Sequence, residues 1–177
     1  MASELSPLVD AAKVLNDALQ LVNVLLGQVN ARYLAQGGPP PFAINVDLAP
    51  VQWTRREDQI HGVFQIRALV GHPTSELAAE PFAEITVAYQ CVYRIMRDLT
   101  NADSAAVPAF LATVGWVHAW PYLRASTQEL STKMGLPPLV LPMLLPGQAE
   151  NIPVLSQEDL QWLSANGDPT AKAAPTE

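Results

Sequence analysis

Residues Gly115 to Pro142, GWVHAWPYLRASTQELSTKMGLPPLVLP, decide how the rest of the chain is read. Pro121 interrupts a helical pattern, and behind it Leu123, Thr127, Leu130 and Met134 put one apolar stripe on a helix. Gly135 offers a left-handed stop, and Pro137-Pro138 forbid continuation. The run Leu139-Val140-Leu141-Pro142-Met143-Leu144-Leu145 is then almost wholly apolar. It is too rich in proline for a helix and too short for a membrane span. The pattern predicts a kinked helix that delivers the chain into a stiff, extended arm. In water such an arm is laid on its own core, paired with another subunit, or used to hold something.

Composition narrows the choice. At 177 residues the chain is one domain of ordinary size, with room for a real core. It is 49% hydrophobic and only 15% charged, against the roughly 25–35% charged surface of a comfortable monomer. Self-association or a standing apolar surface is therefore expected. A net charge of −7 with scattered Lys and Arg counts against nucleic acid as a partner. The lone Cys91 lies in a strand-like run and reads as a small core residue. Glu4 and Asp10 near the start replace the basic and apolar regions of a secretory signal, so the cytosol is the expected location.

From the start, Ser6-Pro7 followed by Leu8, Ala11, Ala12, Leu15 and Leu19 predicts a short amphipathic helix capped by Ser6. Residues 20–34 fit two templates. A helical stripe continues through Val22, Leu26, Val29 and Tyr33, while the valines, the asparagines and Gly27 favour a strand. A loop over Gly37 to Pro41 precedes three clearer strands. Phe42, Ile44, Val46 and Leu48 alternate with polar or small residues, and Ile60, Phe64, Ile66, Ala68 and Val70 repeat the pattern. The third run sets Ile85, Val87, Tyr89, Cys91, Tyr93 and Ile95 on one face. Thr54 to Asp58 reads as a charged turn. Ser104 is expected to cap the helix that runs into Pro121, and Ser156 to open a last helix with Asp159 as its reciprocal partner. Such an order implies an antiparallel sheet, polar on one side and covered on the other.

Chemistry finds little footing. His61, His72 and His118 follow no metal spacing, no serine has a nucleophile-elbow context, and no glycine-rich loop follows a strand. No catalytic residue and no metal site is expected, and the chain is not read as an enzyme. What remains is the apolar face of Ile44, Val46 and Leu48, a pattern that ordinary sheet core also explains.

Trp120-Pro121-Tyr122-Leu123-Arg124, followed by Gly135-Leu136-Pro137-Pro138-Leu139-Val140-Leu141, resembles a motif block of the SecB-like protein chaperones. That block reads aromatic-Pro-Tyr-x-Arg, then Phe/Leu-Pro-x-Leu-x-Leu, and the likeness runs from about Val107 to Pro146. The resemblance implies an α+β fold: a four-stranded antiparallel sheet, with a long kinked helix and a short C-terminal helix packed on one face. Here an extra N-terminal helix precedes it, in one domain over 1–164 with a disordered tail over 165–177. It makes residues 20–34 the first strand. It also implies a cytoplasmic homotetramer, a dimer of dimers, working as a holdase without ATP or any cofactor.

Clients would be unfolded polypeptides, either preproteins bound for export or a dedicated antitoxin. They would lie in a trough lined by Phe42, Ile44, Val46 and Leu48 and by Leu136, Leu139, Leu141 and Met143 of the arm. Trp53 and Trp162 are placed to extend it, packing being the other reading of both. Trp120, Pro121, Tyr122 and Arg124 would support the fold or the subunit contact. General SecB chaperones reach the SecA translocase motor through acidic residues on the exposed sheet face. Here that strand position falls near Thr86, with Glu84 one same-face step away. This departure points away from motor docking and toward a dedicated chaperone. From another class, a small protein holding a lipid or other hydrophobic ligand in an apolar cleft remains the competing reading.

Overall fold

The computed structural model describes residues 7–37, 41–73, 81–99, 105–144 and 152–166, with side chains described from Ala12 to Gln161. Strand β4 (Gln59–Gly71) lies at the heart of the sheet. Its Ile60, Phe64, Ile66, Ala68 and Val70 are all fully buried, and the residues between them are more open. That is the period of two expected when one face is covered. Strand β5 (Pro81–Ile95) runs antiparallel to it and sets Tyr93, Val87 and Ile85 beside Ile60, Ile66 and Ala68. On its far side β5 pairs with β1 (Leu19–Tyr33), so residues 20–34 are strand rather than helix. Irregularities after Leu21 and Leu26 shift which β1 residues face the core.

The other edge departs from the expected four strands. Strand β2 (Ala43–Leu48) pairs with the Ile66–Gly71 end of β4, and β3 (Val51–Arg56) with the Gln59–Val63 end. Ala49-Pro50 divides them, since proline has no N–H to give the ladder. Residues 54–56, expected in a turn, therefore extend β3, and the hairpin closes through Glu57 and Asp58. A short β6 (Val154–Ser156) adds parallel to β3. The sheet thus has six strands, in the path β1-β5-β4-β3-β6 with β2 also on β4.

Helices cover one face. Helix α1 (Pro7–Asn16) leads into β1, and α2 (Ala106–Phe110) passes through a single π turn (Leu111–Gly115) into α3 (Trp116–Lys133). The expected caps Ser6 and Ser104 lie outside the described residues. Leu15, Phe110, Leu111, Trp116 and Leu123 fill the space above Ile60, Phe64 and Tyr93. Rings pack edge to face, with Phe64–Trp116 centroids 5.3 Å and Tyr93–Phe110 centroids 5.2 Å apart.

The π turn was not legible in the sequence. It occurs where the helix packs tightly on the sheet: a methyl on Gly115 would stand 2.5 Å from the Phe64 ring. The Thr113 hydroxyl donates to the Ala109 carbonyl at 2.8 Å and so covers an oxygen of this turn. Pro121 sits inside α3 on its exposed side.

Gly135 ends α3 at φ +73°. Its N–H reaches the Thr132 carbonyl at 3.0 Å and the Leu136 N–H reaches the Ser131 carbonyl at 2.9 Å, a Schellman close. Helix α4 (Gln157–Asn166) opens with the expected reciprocal cap. The Ser156 N–H donates to Asp159 Oδ2 at 2.9 Å and the Asp159 N–H to Ser156 Oγ at 3.1 Å. Its position differs from expectation. Thr54 Oγ1 donates to Gln157 Oε1 at 3.1 Å, and Gln157 and Leu160 share a depression with His61 and Gln90, residues of the face that α3 leaves open. The C-terminal helix therefore meets the opposite face from the long one.

Candidate functional site

Strand register places the aliphatic row. Ile44, Val46 and Leu48 stand opposite Val70, Ala68 and Ile66, and so on the helix side. Phe42 precedes them. The break at Ala49-Pro50 switches parity, so Trp53 continues the row on the same side, opposite Gly62. The row is neither sealed nor free. Ile44 is 42% exposed, while Phe42, Val46, Leu48 and Trp53 are half-buried with a flank packed on the core. Among the described residues no strand pairs with the outer edge of β2.

At the Phe42 end opens a cavity of about 440 Å³ lined by Tyr33, Gln36, Phe42, Phe82, Gly135 and Leu136. The Phe42 and Phe82 rings lie 5.3 Å apart, and His72 stands 5.3 Å from Phe82. Three segments meet here. The Tyr33 hydroxyl donates to the Met134 carbonyl, and the Leu34 and Ala35 amides both donate to the Phe82 carbonyl. The volume falls in the range of sites that accept a small ligand or a large side chain.

The arm behaves differently from expectation. Leu136, Leu139 and Leu141 are 7%, 3% and 3% exposed and belong to the core; Leu136 still borders the cavity beside Phe42, whereas Leu139 and Leu141 lie in the packing beneath. The cause is backbone anchoring. The Leu139 N–H donates to Ser131 Oγ at 2.9 Å, and Trp120 Nε1 donates to the Pro142 carbonyl at 3.0 Å. With the arm held at both points, these leucines turn inward, and Val140 and Met143 turn out, Met143 being 72% exposed. Trp120 is thus a structural tie. Tyr122 is exposed with its ring 5.6 Å from Tyr89, Pro121 is exposed, and Arg124 is half-buried. Trp162 falls within α4, but its side chain lies outside the described residues.

A second apolar surface went unread in the sequence. Val22, Leu25, Leu26, Val29 and Tyr33 are exposed along β1, a 15-residue edge whose outer side is unpaired among the described residues. Its signal was present: a long Val/Leu run that the few charges of the chain do not interrupt.

The open face of the sheet carries Glu84, 6% exposed, between two arginines. Arg32 Nη2 lies 2.7 Å from one carboxylate oxygen and Arg67 Nε 2.7 Å from the other. Hydrogen bonds from Arg32, then from Arg67, hold this carboxyl below the usual carboxylate range. Burial pushes the Cys91 thiol up to about 11, against an ordinary thiol near 8.5. The Tyr93 hydroxyl stands 3.2 Å from His118 Nδ1, and burial lowers the His118 pKa. Among the described residues no three His, Cys, Asp or Glu side chains converge on a metal position, and no helix is long and apolar enough to cross a membrane.

The fold is SecB-like. The structure is similar to that of a SecB-like chaperone of Mycobacterium tuberculosis in complex with a ChAD peptide from the antitoxin HigA1. The TM-score is 0.67 at 15% identity, covering 77% of this chain and 98% of that one. A protein of unknown function from Streptococcus agalactiae shows a TM-score of 0.34 at 12% identity, over 71% of this chain and 97% of that one. No family model matches the sequence, and no curated protein matches it either.

Proposed function

We propose that this protein is a holdase that binds non-native polypeptide segments without ATP or cofactor and has no catalytic activity of its own. The observation that carries this reading is the half-open row Phe42, Ile44, Val46, Leu48 and Trp53 on an edge that is unpaired among the described residues and ends in an aromatic cavity. An extended client can add its backbone to the free edge of β2 while alternate side chains meet the row. Apolar side chains lose water at roughly 25 cal/mol per Å² buried whatever their order, so selection is for exposed hydrophobicity rather than for a motif. Met143 and Val140 are the exposed side chains of the arm, Leu136 borders the cavity beside Phe42, and Leu139 and Leu141 serve as packing.

The antitoxin peptide bound by the structural neighbour supports a dedicated client of that kind over a general run of preproteins. Motor docking through Glu84 is disfavoured, because Arg32 and Arg67 already occupy that carboxylate. The exposed β1 edge is the surface through which copies would pair, and a homotetramer in the cytoplasm is the assembly we propose. A lipid-binding role is the weaker reading: the space between helices and sheet is filled by Phe64, Trp116, Tyr93 and Leu123.

The test is dilution of a chemically denatured, unrelated protein into buffer without nucleotide, followed by light scattering. The wild-type chain should suppress aggregation, and the double variant Ile44→Asp/Val46→Asp should lose most of that effect while keeping its melting temperature within a few degrees. Equal scattering with and without the wild-type chain would end the holdase reading. Native mass spectrometry should show four copies, and Leu26→Asp/Val29→Asp should reduce that number.

A further inference from the structure

The backbone of β2 is bonded in a way that leaves its outer edge ready for a strand. The Ala49 N–H donates to the Gln65 carbonyl at 3.0 Å, so Ala49 is tied inward to β4. Ladder bonds in an antiparallel pair fall on alternate residues. Ala43, Asn45 and Asp47, opposite Gly71, Leu69 and Arg67, are therefore tied inward as well. Ile44, Val46 and Leu48 turn both N–H and C=O outward, and among the described residues nothing meets those groups. The residues whose side chains form the row are thus the same ones whose backbone groups stand open.

The two ends of this edge differ. Past Leu48, Ala49 is tied inward and Pro50 has no N–H. The next outward donor, the Val51 N–H, already meets the Pro153 carbonyl at 2.8 Å. From there β6 lies on β3, with Val154, Leu155 and Ser156 opposite Val51, Gln52 and Trp53. The same edge therefore takes a strand where the chain supplies one, and that strand closes it. At the other end opens the cavity of about 440 Å³ bordered by Tyr33, Phe42, Phe82 and Leu136. The six steps from Phe42 to Leu48 cover about 20 Å at about 3.4 Å per residue.

We infer that the row reads a client segment of about seven residues, added to β2 as one strand, with apolar side chains at alternate positions and an aromatic ring at the end that enters the cavity. The inference rests on the holdase reading and gives its client a length and a pattern. Length is set by β6, because a longer segment finds no open backbone group beyond Leu48. The ring is set by the cavity wall, where Phe42 and Phe82 stand 5.3 Å apart and offer edges and faces to a further aromatic group. The alternation follows from the pleat, since only every second client residue faces Ile44, Val46 and Leu48.

The experiment uses the full chain and fluorescein-labelled synthetic peptides of alternating Val and Ser with Trp at one terminus, read by anisotropy. Both orientations are made, and the better-bound one is varied. Affinity should rise about tenfold between about five and about seven residues, then stay within about twofold up to about eleven. Moving Trp to the centre should weaken binding at least about fivefold. N-methylation of one alternate set of peptide amides should weaken it at least about tenfold, and of the other set less than about threefold. Val46→Pro removes an outward N–H and no ladder bond, so it should bind the peptide at least about tenfold more weakly. If that variant does not fold, the methylated peptides decide the matter on the wild-type chain. Affinity that keeps climbing with length, indifference to the place of Trp, or equal loss from both methylated sets would overturn the inference while suppression of aggregation kept the holdase reading. Loss of both suppression and peptide binding in the wild-type chain would remove the two together.

Discussion

Strand β2 and the arm from Leu136 to Leu144 look alike as sequence, yet the fold treats them oppositely. Both are short, aliphatic and bounded by proline. In β2 the apolar side chains remain partly in water, with Ile44 42% exposed. In the arm the leucines at 136, 139 and 141 are driven into the core. Anchoring makes the difference. The arm is held by Ser131 and Trp120 against its own helix, whereas β2 pairs, among the described residues, on one side only, with β4. An apolar segment tied at two points to the helix above the core becomes structure, and one at an open sheet edge stays available.

That contrast breaks most visibly at Leu139. Leu139→Ala should cost about 2–5 kcal/mol, because a fully packed side chain leaves a cavity behind. Ile44→Ala, with much of its surface already wet, should cost under about 1 kcal/mol while impairing client binding. Urea melts of the two variants would decide it, and similar losses at both positions would erase the distinction between arm and strand.

A second prediction sharpens the same point with pH. The arginines hold the Glu84 carboxyl below its usual range, so its folded pKa is depressed. The stability it contributes is therefore present above the ordinary carboxylate pKa and is lost as pH falls through the folded value. Glu84→Gln should melt lower than wild type at neutral pH, and the gap should close in acid. Ile44→Ala neither adds nor removes a titratable group, so its deficit should show no such convergence.

A further variant tests the tie itself. Trp120→Phe removes the hydrogen bond to the Pro142 carbonyl together with the five-membered part of the indole, so stability should fall by about 1–2 kcal/mol. Hydrogen exchange should then rise along the arm and not along β4.

Much of the architecture was written into residue order. Gly135 at φ +73° and the prolines after it stop the helix where the pattern said, since only glycine takes that backbone cheaply. The Ser156–Asp159 cap is equally local, needing nothing beyond its own turn. Alternation in β4 and β5 marked the covered face because the pleat repeats every two residues. Residues 20–34 resisted, because a valine- and leucine-rich run satisfies helical and extended templates equally until β5 supplies its ladder.

The chain alone thus determined which segments are stiff, where they stop and which side of each is apolar, all being short-range matters of backbone sterics and side-chain spacing. Only the tertiary structure decided which apolar sides meet water. Nothing local distinguishes Leu139 from Ile44; the first is sealed by groups eight and more positions away, and the second lies on a strand whose outer side is unpaired among the described residues. The same holds for Glu84, whose partners lie 52 and 17 residues distant and whose charge could not be seen as engaged until three strands were in register.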